Sequence, residues 1–304
     1  LSAVASQISL TGYRATVDLL AERLRILYRA AMQSGTERPK FVNLDMEEYR
    51  DLSLTIDVFR RVLDEPEFER LEAGIVLQAY IPDSASRQRE LTEWAIERQR
   101  RTGAGIKLRL VKGANLAMEQ VEASLRGWEQ AVYATKLEVD ANWKRMLRYA
   151  CEPQHLAAVR VGVASHNLFD IAYAFLLRET SEQPERIEFE MLEGMANAQA
   201  FELRSRAGSV LFYVPVVKRQ EFESAVAYLV RRLDENTAPG SFLGALFALR
   251  EGSDAWNRQR EAFVQACRLS HDPTLSDRPR RQQDRHREKP AATAAGSPFD
   301  NVAD

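Results

Sequence analysis

A (β/α)8 barrel of the α/β class, short of its first strand and followed by a disordered tail, is the architecture this sequence predicts. Three observations point there. Short runs rich in apolar and β-branched residues alternate with longer segments of helical spacing, which is the layout of βα units around a parallel sheet. Polar and charged residues gather at the ends of those short runs. From about Leu269 onward the composition collapses into Asp, Arg, Gln, Pro, Ala and Ser, with Leu275, Phe299 and Val302 the only sizeable apolar residues.

Strands are expected at Phe41–Met46, Gly74–Ile81, Ile106–Gly113, Val159–Ser165, Ile187–Leu192 and Val210–Val216. Most of these runs are rich in apolar residues throughout, as strands covered on both faces are. Helices are expected at Thr16–Met32, Leu54–Leu63, Ser84–Arg101, Val139–Ala150, Leu168–Arg178 and Glu221–Glu235, with Glu, Gln, Arg and Ala on the faces turned to water. Leu1–Ser9 reads as the trailing end of one further strand, giving about seven strands where a closed barrel needs eight. An incomplete barrel would leave edges open to wrong pairing or to an N-terminal stretch of a second copy, so a homo-oligomer stays open as an expectation. The domain division is residues 1–268 as the barrel and 269–304 as a disordered linker or tail.

Composition narrows the function classes. The chain has 304 residues, 45% of them hydrophobic, so it can bury a large core. A formal net charge of −2 supplies no basic field to hold nucleic acid. Cys151 and Cys267 lie far apart and fit neither a metal-ligand spacing nor a disulfide framework, so no metal site and a reducing, cytoplasmic setting are expected. No apolar run approaches the ~20 residues of a membrane-spanning helix, which makes any membrane association peripheral, at the inner face.

In a parallel barrel the active site lies at the C-terminal ends of the strands, so polar residues there carry the most weight. They are Asp45 with Glu47, Gln78 with Tyr80, Arg109 with Lys112 and Asn115, His166 with Asn167, Glu190 with Glu193, and Tyr213. Each also has a structural reading. Asp45 suits a helix N-cap; Gln78 and His166 suit satisfied polar groups of a core; Arg109 and Glu190 suit an ion pair between layers. Their convergence makes the case for a site. Adjacent Arg231 and Arg232 point about 100° apart around a helix, so one can meet a substrate carboxylate while the other meets a second anion, although two solvated charges read the same way. No Gly-x-Gly-x-x-Gly after a strand and no Gly-x-x-x-x-Gly-Lys-Ser/Thr occurs, so a cofactor would sit in the barrel mouth.

Several segments, in order, resemble a known family, the proline dehydrogenase domain of the bifunctional proline utilisation A flavoproteins. They are VNLDMEE (Val42–Glu48), VLQAY (Val76–Tyr80), RLVKGAN (Arg109–Asn115), ASHN (Ala164–Asn167), FEMLEGM (Phe189–Met195), YVPV (Tyr213–Val216), and YLVRRLDEN (Tyr228–Asn236) with SF (Ser241–Phe242). The resemblance covers residues 1 to about 270. It implies a distorted (βα)8 barrel that binds FAD non-covalently and oxidises L-proline to Δ1-pyrroline-5-carboxylate, passing electrons to a membrane quinone.

By the same resemblance Gln78, Arg109, Val111, Lys112, Gly113, Ala114, Lys136, His166, Asn167, Glu190, Arg232, Glu235 and Phe242 contact the flavin. Arg231 and Arg232 clamp the proline carboxylate, Asp45 is a polar anchor, and Leu192, Tyr213 and Tyr228 face the substrate. Arg109, Asp45, Arg231 and Arg232 form the implied catalytic set. This chain has Asn115 where many members carry Tyr, and Glu190 where others carry Gln. Family members have a first strand and a lysine-bearing segment before the residues that match Leu1–Ser9. The tail resembles the segment leading into an aldehyde dehydrogenase domain, the partner expected downstream in the parent polypeptide. Two rivals stay open: a Schiff-base aldolase barrel with Lys112 as nucleophile, and a truncated, non-catalytic fragment of the bifunctional enzyme.

Overall fold

The computed structural model describes residues 12–33, 40–46, 48–237 and 242–281; within these, the side chains of residues 231, 233–237 and 247 are not described. Six parallel strands, β1 (Asn43–Leu44), β2 (Gly74–Gln78), β3 (Ile106–Val111), β4 (Val159–Ala164), β5 (Ile187–Leu192) and β6 (Leu211–Tyr213), form one sheet in the order β1-β2-β3-β4-β5-β6. Neighbours in sequence are neighbours in space, with a helix-bearing connection between each pair, and the sheet curls into a half-barrel. That is what a run of right-handed βα units builds.

The helices are α1 (Tyr13–Met32), α2 (Leu52–Leu63), α3 (Ser84–Thr102), α4 (Leu116–Arg126), α5 (Lys136–Ala150), α6 (Pro153–Leu156), α7 (Leu168–Glu179), α8 (Asn197–Ala207), α9 (Phe222–Thr237), α10 (Phe242–Ala245) and α11 (Asp254–Leu269). Helix α1 turns Val17, Leu20, Ala21, Leu24, Tyr28 and Ala31 inward at helical spacing. Helix α5 begins with a capping box: the Glu138 N–H donates to Thr135 Oγ1 at 3.3 Å and the Thr135 N–H to Glu138 Oε2 at 2.9 Å. Between sheet and helices lies one core, in which Ile75, Val76, Leu77, Ile106, Leu108, Leu110, Val161, Phe189 and Trp143 are buried.

All six expected strands are present, but the two outer ones are shorter than expected: two residues in place of Phe41–Met46 and three in place of Val210–Val216. Each outer strand pairs on one side only among the described residues, so hydrogen bonding supports less of it. The expectation for Leu1–Ser9 lies outside the described residues.

Three long helices lie outside the ranges named from the sequence. In α4 the pattern is inverted, with Leu116, Met118, Val121 and Leu125 exposed and Glu119 and Ala123 buried. Helices α8 and α11 bury mostly alanines, which leave a weak periodic signal.

The boundary expected at Leu269 moves. Residues 270–281 are packed as a strap across α3, α5 and the loop between α4 and α5. Arg145 Nη1 donates to the Leu275 carbonyl at 2.7 Å, the Tyr133 hydroxyl to the Ser276 carbonyl at 2.5 Å, and Arg281 Nε to the Glu129 carbonyl at 2.7 Å. Arg89 pairs with Asp277 at 2.5 Å. Polar composition misled because this strap is held by side chains bonded to backbone, with Leu275 its single buried apolar anchor. Residues 282–304 lie outside the described residues. No helix among the described residues is long and apolar enough to cross a membrane.

Candidate active site

Strand β3 brings the central cation to the site. Side chains at alternate strand positions share a face. On β3 the apolar Ile106, Leu108 and Leu110 take one face, and Lys107 and Arg109 take the other, toward the barrel interior. Across the sheet on β5, Glu190 meets both: Lys107 Nζ lies 2.6 Å from Oε1, and Arg109 Nε lies 3.0 Å from Oε2. The expected pair of Arg109 and Glu190 is therefore present. The Arg109 guanidinium also lies 3.8 Å from the ring centroid of Tyr213 on β6, a close cation–π contact. Burial, followed by the charge of Glu190, pushes the Tyr213 phenol well above its ordinary value, so it stays protonated.

Three residues beyond Arg109, just past the end of β3, Lys112 begins a ladder of alternating charges. Its Nζ is 2.5 Å from Asp140 Oδ1 and 2.6 Å from Asp170 Oδ2. Asp140 is also 2.5 Å from Lys136, and Asp170 is 2.7 Å from Lys144. Burial alone would lower the Lys112 amine, but the two carboxylates outweigh it and raise it. Burial likewise works against ionised Asp140, yet Lys112 and Lys136 bring it down to about 2. A Schiff-base nucleophile needs a neutral amine. The Lys112 ammonium is held in its protonated form, which argues against the aldolase reading.

The strand-end loops are fixed by backbone. Ala79 and Tyr80 N–H donate to the carbonyls of Val111 and Lys112, both at 2.8 Å. Gly113 then runs at φ +122 against the Tyr80 ring, where an added Cβ would stand 2.4 Å from Cδ1. Only glycine fits there. Gly113 and Ala114 are exposed at the mouth, and Asn115 is buried beside them. Gln78 is buried and donates from Nε2 to the Met46 carbonyl at 3.3 Å. The Asn167 side chain accepts from the Phe169 N–H at 2.9 Å and so caps α7.

His166 Nε2 accepts the Leu192 N–H at 3.1 Å, which leaves the ring proton on Nδ1. Burial, only partly opposed by that bond, lowers its pKa, with the nearby Arg232 charge acting in the same sense; the imidazole is neutral at neutral pH. Phe242 is buried edge-on to Phe169, with ring centroids 6.5 Å apart.

The remaining expected residues are less enclosed. Asp45 is exposed at the end of β1, and its Oδ1 accepts its neighbour Met46 N–H at 3.1 Å; the following short helix is Tyr49–Asp51 with Glu48 at its N-cap position, so the N-cap reading of Asp45 does not hold. Leu192 and Tyr213 are half-buried at the ends of β5 and β6. On α9, Arg232 lies over the Tyr228 ring at 5.0 Å. The side chains of Arg231 and Glu235 lie outside the described residues. Sequence reasoning missed Lys107, Asp140 and Asp170. Lys107 had a signal, since it stands two positions from Arg109 on one strand; the two aspartates sit in helices, and their shared partner Lys112 comes from the end of β3. Among the described residues no cluster of His, Cys, Asp and Glu could hold a metal ion.

A wall of parallel strands whose C-terminal ends gather paired charges, aromatic rings and a neutral histidine defines an enzyme of the α/β-barrel class. The chain belongs to the proline dehydrogenase family, whose family model matches residues 2–245. It is 28% identical over 257 residues to the bifunctional protein PutA of Escherichia coli (strain K12), a match covering 81% of this chain and 18% of that one. To the proline dehydrogenase of Deinococcus radiodurans it is 26% identical over 227 residues, covering 74% of this chain and 61% of that one. The solved structure of Proline Utilization A (PutA) from Corynebacterium freiburgense aligns with a TM-score of 0.82 at 44% identity, over 93% of this chain and 27% of that one. The chain thus spans about a fifth to a quarter of the bifunctional relatives it matches.

Proposed function

We propose that this chain oxidises L-proline to Δ1-pyrroline-5-carboxylate, with FAD held non-covalently in the barrel mouth and a membrane quinone receiving the electrons. The observation that carries the proposal is Arg109. It is a buried cation at the mouth of a barrel of this family, set by Glu190 and stacked on Tyr213. A guanidinium there stabilises negative charge that develops on a reduced ring beside it.

The residues present fit such a group. Lys112 and Lys136 offer cations at the rim for phosphate oxygens, and Gly113 leaves the loop surface bare for close approach. Gln78, Val111, Ala114, His166, Asn167, Glu190, Arg232, Glu235 and Phe242 would complete its surroundings. When bound, FAD supplies a two-electron acceptor.

Proline must lose hydrogen from C5 with its bonding pair and a proton from the ring nitrogen, whose lone pair then closes the C=N bond. The chain's task is to hold the ring for that loss. Arg231 and Arg232 take the carboxylate through charge-assisted hydrogen bonds. Leu192, Tyr213 and Tyr228 bound the ring, Asp45 anchors the polar side of the pocket, and a neutral His166 keeps a further positive charge out of it. In the parent polypeptide a downstream aldehyde dehydrogenase domain would consume the product, and the enzyme would work in the cytoplasm at the inner face of the membrane.

The test is to add FAD to purified protein and then proline with a soluble quinone. Retained yellow colour and proline-dependent quinone reduction are expected. A folded protein that ignores both FAD and proline would overturn the proposal.

A further inference from the structure

Lys107 lies on β3, two residues before Arg109, on the interior face of the sheet and 2% exposed. Its Nζ is 2.6 Å from Glu190 Oε1 and 2.5 Å from Glu188 Oε2. Glu188 is shared with Arg160, which also reaches Glu72. Lys107, Arg109 and Arg160 against Glu72, Glu188 and Glu190 make three cations and three carboxylates, so the group is neutral as a whole. Glu190 itself has no exposed side-chain surface. Its second wall is Gly162 on β4, where an added Cβ would stand 2.1 Å from Oε1 and 3.1 Å from the Lys107 side chain. The carboxylate is thus fixed between a glycine and a lysine, with Oε2 turned to Arg109.

We propose that Lys107 is a positioning residue for the active-site arginine. By taking Oε1 of Glu190 it holds the carboxylate in one orientation and shares its charge, so that Arg109 faces Oε2 and stays stacked on Tyr213. Removing the ammonium leaves Glu190 one cation for two oxygens. A guanidinium beside a free carboxylate turns toward a bidentate pair. Arg109 would then leave the Tyr213 ring and offer less of its charge to a ligand in the mouth. The inference rests on the proposed flavin site for its functional consequence, whereas the geometric consequence, movement of Arg109 off Tyr213, does not.

The test uses the whole chain as wild type, Lys107→Met, Glu190→Gln, and Lys107→Met with Glu190→Gln. Two quantities are read: the FAD dissociation constant, and the ring resonances of Tyr213, which a cation 3.8 Å from the ring centroid displaces. Lys107→Met is expected to weaken FAD at least about tenfold, the scale of a lost hydrogen bond to a charged group, and to move the Tyr213 resonances. With Glu190 already neutral, Lys107 keeps only Glu188, which Arg160 also holds, so the double variant should match Glu190→Gln in both readings.

If Lys107→Met fails to fold, the comparison of the double variant with Glu190→Gln still decides. Tyr213 resonances unmoved in a folded Lys107→Met, or a double variant clearly worse than Glu190→Gln, would overturn the proposal and leave Lys107 a packing residue only. Failure of every chain, wild type included, to bind FAD would overturn the flavin reading, with the Tyr213 comparison still deciding the role of Lys107.

Discussion

From β3 to β5 Lys107, Arg109, Asp170 and Glu190 are buried and each has a counter-charge within hydrogen-bond distance, whereas from β6 through α9 several of the described apolar residues are exposed. Lys112, Asp140 and Asp170 interlock at 2.5–2.6 Å, and Arg109 is gripped by Glu190. On the other side Val216 is 90% exposed and Phe222 64%, and Leu229 and Val230 face outward on the helix that carries Arg231 and Arg232. On the proposed function the difference suits two jobs. A planar ligand of fixed shape suits a wall of interlocked charges that is formed before it arrives. A small substrate held by its carboxylate suits cations on a helix with few packing partners, which can adjust as the ligand enters.

The comparison makes a large difference in stability the first thing to look for. Asp170→Asn removes the carboxylate paired with buried Lys144 and one of the two that hold Lys112. Breaking one side of a buried ion pair costs about 3–5 kcal/mol, so denaturant unfolding should show a loss of that size. A loss below about 1 kcal/mol would mean that the ladder is solvated and that the interlocked half is not rigid.

Acid should attack the same half. Asp140 is held at about 2, below the ordinary carboxylate value, so above that ordinary value it contributes stability. The unfolded chain binds the proton first as pH falls, and about 2 kcal/mol is lost between about pH 4 and pH 2. Unfolding curves across that range should show the slope, and Asp140→Asn should flatten it. On the α9 side, Val230→Ser removes an exposed side chain and should move stability by no more than about 0.5 kcal/mol. A larger loss would show that α9 is packed against something in solution, and the contrast between the two halves would fall.

Much of this was legible in the sequence. Every strand of the described residues was located because β2 reads as an apolar run and β3 to β5 keep apolar residues at alternate positions. The pairing of Arg109 with Glu190 was one of the open readings of two polar residues at strand ends. What stayed hidden has particular causes. Helix α4 carries Leu116, Met118, Val121 and Leu125 on its exposed face, so its periodicity points the wrong way. Asp140 and Asp170 looked like ordinary helix acids because Lys112, which both meet, comes from the end of β3, and Lys144, which Asp170 meets, comes from another helix; the pairing of Asp140 with Lys136 at i,i+4 is what an ordinary helix acid also makes. The strap over residues 270–281 hid behind polar composition, because it is held by arginines and a tyrosine bonded to backbone carbonyls.

On the proposed function the interlocked half holds most of the cofactor, with Arg232 and Glu235 of α9 at its edge, and Arg231 of α9 serves the substrate. The most direct measurement is a paired titration, FAD affinity and proline Michaelis constant, on Arg231→Lys beside wild type. Lysine keeps the charge but loses the planar fork, so proline binding should weaken by about 1.5–3 kcal/mol, the range for hydrogen bonds to charged groups, while FAD affinity stays within about twofold. An unchanged Michaelis constant for proline, or a loss of FAD affinity as large as the loss of proline binding, would contradict the account.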